Sequence, residues 1–142
     1  MIFGNTSTPL IRGLPIMFLF LAIAGCRSTV VGPPDIVEPT ETVLFSSDIF
    51  PILAQNCALS GCHAGSGTNG VRLGSYAEAT SSVGLQYGEL VIQPFNADSS
   101  PIIDKISGIP EFGVRMPFGR TPLTADQIGL IRAWINQGAR DN

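Results

Sequence analysis

The sequence predicts an all-α fold, a small domain of three to five short helices joined by long loops. Three observations predict it. Near the C-terminus Ile128, Ile131 and Ile135 recur at helical spacing, with Leu130 and Trp134 beside them. Further upstream, Ser75 and the run Ser99-Ser100-Pro101 read as helix starts. No stretch reads convincingly as a long strand; Val71-Arg72-Leu73 and Leu90-Val91-Ile92 are at most short extended pieces.

In chain order, the first segment stands apart from the fold. Arg12 is the only charged side chain before residue 27, and an apolar stretch runs from Gly13 to Gly25. That stretch is too short for a spanning helix, which needs about 20 apolar residues. It fits the apolar core of a secretory signal. It ends in Ile23-Ala24-Gly25-Cys26, which resembles the bacterial lipobox. The alternative is an ordinary signal peptide with a chance cysteine at its cleavage site. The resemblance implies cleavage after residue 25, lipid on Cys26 and a membrane held through that anchor. Arg27 takes the place of the Asp that retains lipoproteins at the inner membrane, so the expected location is the cell envelope, at an outer membrane where one exists. Residues 26–42, with Pro33, Pro34 and Pro39 and no apolar period, read as a tether. Residues 43–142 are left to fold as one domain. The net charge of −3 argues weakly against nucleic acid as a partner.

Within that domain, Ser46 or Ser47 is expected to cap a helix through Asp48–Ala54, with Pro51 in its first turn. Residues 64–70 read as a flexible Gly/Ser/Thr/Asn loop. Ser75 caps a second helix from Tyr76. Pro101 opens a third, with Ile102, Ile103 and Ile106 inward and Gly108 and Pro110 at its end. Residues 111–123 form a Gly/Pro-rich loop. Thr124 and Gln127 form a capping box for the last helix, and Gly138 stands where a C-terminal cap belongs. Helices this short bury little surface, so a disulfide, a metal or a large apolar cofactor is expected to complete the core.

The chemistry is concentrated in Cys57-Ala-Leu-Ser-Gly-Cys62-His63, which holds the only histidine and two of the three cysteines. Covalent haem attachment uses two thiols followed directly by a histidine, usually as C-x-x-C-H. Cys62 and His63 keep the adjacent pair, while Cys57 lies two residues further back. A spacer containing Ser60 and Gly61 can bulge outward and still deliver Cys57. Met116 is the one methionine after residue 25. Its thioether, with His63, would give His/Met ligation, which suits electron transfer rather than oxygen chemistry; the alternative is a core filler.

From about Phe45 to Ala139 the chain resembles a planctomycete-type cytochrome c domain, a class I-like c-type cytochrome. The pieces that carry the resemblance appear in order: Ile52-Leu53, CALSGCHAG at 57–65, Gly70-Val71-Arg72-Leu73-Gly74-Ser75, and Val91-Ile92 with Pro94 and Asn96. Ser99-Ser100-Pro101-Ile102-Ile103, Arg115-Met116-Pro117, Leu123–Ile128 and Trp134–Ala139 follow. The chain departs from the pattern in its cysteine spacing and in Phe95, where a glycine usually follows the proline. The resemblance implies one haem c held by Cys57 and Cys62, with His63 proximal and Met116 distal on the iron. It implies that Phe50 and Trp134 meet where the first and last helices cross, and that Val71, Leu73, Ile92, Ile102 and Ile106 line the pocket. Tyr76, Tyr87, Arg72 and Arg115 are candidates to reach the propionates. The expected role is an electron carrier for redox partner proteins, with no small-molecule substrate. The rival readings are a Cys57–Cys62 disulfide in a binding or structural module, a zinc site on Cys57, Cys62 and His63, and a haem enzyme with an open iron.

Overall fold

The computed structural model describes residue 39 and residues 41–142; the expected signal segment, Cys26 and most of the expected tether lie outside the described residues. A π-helical turn at Phe45–Ile49 leads directly into α1 (Phe50–Asn56). Neither Ser46 nor Ser47 caps it, contrary to expectation. The flanking residue is Leu44, whose N–H donates to the Asp48 carboxylate at 2.7 Å. The element starts earlier because Phe45 turns its ring into the core, where it is 6% exposed. The wide turn also suits Pro51, which has no N–H to donate one turn back.

The other helices follow their sequence signals. In α2 (Tyr76–Ser81) the Ser75 hydroxyl accepts from Glu78 N–H at 3.2 Å. α3 (Pro101–Ser107) begins with its proline and buries Ile102, Ile103 and Ile106. α4 (Ala125–Asn136) carries the complete capping box of Thr124 and Gln127 and buries Ile128, Ile131, Trp134 and Ile135. Gly138 follows at φ +99, a conformation that favours glycine.

The fold is mostly helical, with one small two-stranded sheet, of which the sequence reading offered only the segment from Leu90 as a short extended piece. β1 (Val83–Gly84) pairs antiparallel with β2 (Glu89–Leu90), in the register Val83 with Leu90 and Gly84 with Glu89. α3 packs on α4, and the π-helical turn packs on α1 and α4. The aromatic centre of that packing is Phe45, not Phe50 as expected. Phe45 lies 5.4 Å from Trp134, 5.2 Å from Tyr76 and 5.9 Å from Phe50, centroid to centroid. Trp134 is 1% exposed, and its indole N–H donates to Arg140 O at 2.9 Å, so the ring is buried with its polar atom satisfied.

Candidate functional site: an apolar pocket holding a thiol, an imidazole and a thioether

The site begins where α1 stops. Cys57 N–H donates to Leu53 O at 2.8 Å, the last helical bond. Leu59 to Cys62 then form a tight turn closed by Cys62 N–H to Leu59 O at 2.9 Å. Gly61 holds the third position of this turn at φ +78, which a turn of this kind requires and which suits glycine. His63 N–H reaches back to Cys57 O at 3.2 Å. The four-residue spacer is thus a closed bulge that returns His63 to the end of α1.

The next segment fixes the imidazole. Residues 64–70 are more ordered than their composition suggests. Thr68 and Val71 form a bridge around Asn69 (φ +53) and Gly70 (φ +79), the signature of a two-residue type I′ turn. The turn sends Val71–Leu73 back alongside His63. Leu73 N–H donates to His63 O at 2.8 Å, and His63 Nδ1 lies 3.2 Å from Val71 O. A carbonyl only accepts, so this contact is a hydrogen bond when Nδ1 carries the proton. Nε2 then keeps its lone pair for a metal, with its orientation set by the backbone.

Met116 arrives from the other side of the sequence. Its N–H donates to Lys105 O at 2.8 Å. The Arg115 guanidinium donates twice to Ile106 O, at 3.2 and 3.0 Å. These bonds pin the 111–123 loop to the end of α3 and bring the thioether to the core, where Met116 is partly buried.

Cys57, His63 and Met116 line one open pocket that encloses a cavity of about 80 Å³. Its walls include Val71, Leu73, Ile102 and Ile106, four of the five expected residues. Ile92 is fully buried and packs behind, and its neighbour Val91 takes the wall position. Cys62 is exposed and does not line the cavity; both cysteines are free thiols. Burial pushes the Cys57 thiol up from 9.0 to about 11, and the neighbouring Cys62 adds to the shift.

The expected propionate partners are mostly committed elsewhere. Arg115 is bound to Ile106 O, Arg72 pairs with Glu78 at 3.7 Å, and Tyr76 donates to Ala139 O at 2.9 Å. Tyr87 does line the cavity, but its hydroxyl donates to Asp104. Its pKa is raised to about 12, by burial first and then by that carboxylate. Sequence reasoning missed the polar wall residues Thr68, Asn69, Gln86 and Lys105. The Asn69-Gly70 dipeptide was a readable signal for Asn69, whereas nothing local marks Gln86 or Lys105.

A haem fits this donor set. One imidazole and one thioether would suit a metal whose remaining ligands come with its own macrocycle, with His63 and Met116 as the residues that would hold it. Among the described residues no three His, Cys, Asp or Glu side chains converge as a metal cage, so the zinc reading finds no donor set there. The apolar walls suit a flat, largely hydrophobic group. No family model, curated protein or solved structure matches this chain.

Proposed function

We propose that this chain is an exported, lipid-anchored c-type cytochrome that passes single electrons through one covalently bound haem. A single observation carries the reading: Met116, more than 50 positions further along the chain, lines the same apolar pocket as Cys57 and His63. Cys57 and Cys62 would hold the haem by thioethers, and His63 and Met116 would ligate its iron. The bound haem would supply a one-electron couple at a potential raised by thioether ligation. The chain's residues supply the rest. Val71 O orients the imidazole, the bonds from Arg115 and Met116 to α3 position the thioether, and the apolar walls limit water. Leu85, Phe112, Val114 and Phe118 stand exposed on segments bordering the pocket, an apolar surface suited to redox partner proteins. The lipid on Cys26 would hold the carrier at a membrane of the cell envelope.

Expression of the full chain with a cytochrome c maturation system tests this. The expected product keeps its haem through acid–acetone extraction, gives a sharp reduced α-band, and shows the weak far-red band of an Fe(III)–thioether bond. Met116→Ala should abolish the far-red band while leaving the haem attached. Haem without that band in the parent protein would indicate an open iron and favour the haem-enzyme reading. A haem-free product with Cys57 joined to Cys62 would replace the proposal with a disulfide-stapled module.

A further inference from the structure

We propose that Lys105 is the anion-binding residue of this pocket and takes a carboxylate of the bound haem. The inference deepens the cytochrome reading and rests on it. Among the described residues that line the cavity, Lys105 is the only Lys, Arg, Asp or Glu. A single cation on a wall whose exposed area is mostly apolar selects a ligand that is mostly apolar and carries a negative group. The ammonium is held in place by neutral partners. It donates to Phe112 O at 2.7 Å and to Gln86 Oε1 at 3.5 Å. An ammonium has three donors, so this leaves one for a ligand. The adjacent carboxylate does not compete, because Asp104 accepts from Tyr87 O–H and from Glu111 N–H at 2.9 Å. Neither Arg72 nor Arg115 lines the cavity. Gln86 also lines the cavity, so the amine sits between two segments that frame its mouth.

Lys105 is also the single lysine of the chain. Its charge can therefore be removed chemically from the folded holoprotein as well as by substitution. A cation beside the haem disfavours the more positive Fe(III) state, so its loss should favour oxidation. Lys105→Gln should lower the midpoint potential, equivalent to roughly a threefold to tenfold change in the redox equilibrium constant. Acetylation of the intact holoprotein to completion should reproduce the shift, with acetylated K105Q as the control for the terminal amine. Lys105→Arg should restore the potential. The difference between the parent and K105Q should shrink as salt is raised. A packing role would not give matching results for acetylation and K105Q with rescue by arginine. Covalent haem in the parent with identical potentials for parent, acetylated protein and K105Q would overturn the assignment and leave the cytochrome reading intact. No covalent haem in the parent would overturn both.

Discussion

Cys57 and Phe95 each carry a cost set by local physics. The Cys57 thiol titrates near 9.0 in an ordinary setting and near 11 in the fold, because its thiolate would be buried. Below about pH 9 the thiol is protonated in both folded and unfolded chains, and this group adds no pH dependence. Between about 9 and about 11 the unfolded chain loses the proton and the folded one keeps it. Stability of the haem-free chain should therefore fall as pH rises through that window, by up to about 1.4 kcal/mol per pH unit. Denaturant midpoints of the haem-free protein and of Cys57→Ala, measured on both sides of pH 9, check this; the variant should lack the contribution. Phe95 holds φ +67 while its ring is 71% exposed. The left-handed backbone penalises a bulky side chain, and little burial offsets it. Phe95→Gly should raise stability by roughly 0.5–1 kcal/mol in urea unfolding.

At the scale of elements, the Asn69-Gly70 turn positions the imidazole, although it lies several residues away. A Cβ on Gly70 would sit 2.6 Å from Val83 O, at a φ of +79. Gly70→Ala should cost about 1–3 kcal/mol and, in a haem-loaded protein, disturb the His63 signals in the proton spectrum. Thr124→Ala removes half of a complete capping box and should cost about 1 kcal/mol by thermal unfolding. The contrast explains what the sequence made legible. Caps at Ser75 and Thr124 and the stripe of α4 are local patterns, so they could be read directly. The early start of the first helical element depends on Phe45 finding Trp134 and Tyr76, a distant contact with no local signature. The same holds for the site: the thiols and imidazole announced themselves by adjacency. Lys105 and Gln86 become pocket residues only once α3 and the β1–β2 hairpin come together.

Across the whole molecule, the core is small and centred on one aromatic cluster. Trp134→Ala should cost about 3–5 kcal/mol, a large share of the total for a domain of this size. Its denaturant midpoint measures the loss. Stability is also expected from the proposed haem: the haem-free double variant Cys57→Ala/Cys62→Ala should melt below the haem-loaded parent, because thioethers would keep the haem on the unfolded chain while its burial against the apolar walls and its bond to Met116 would form only in the folded one. The two ends of the described chain are stitched together away from the pocket wall. Val43 N–H donates to Gln137 Oε1 at 2.8 Å, Phe45 N–H to Asn142 Oδ1 at 2.7 Å, and Ser46 N–H to Asn142 O at 2.9 Å. Neither Gln137 nor Asn142 lines the pocket that holds Cys57, His63 and Met116. Tension applied through residue 41 would therefore be taken up first by the C-terminal segment and Trp134. The His63–Val71 hydrogen bond would stay at rest until that seam parted, so the site is mechanically insulated from a pull at this end of the domain.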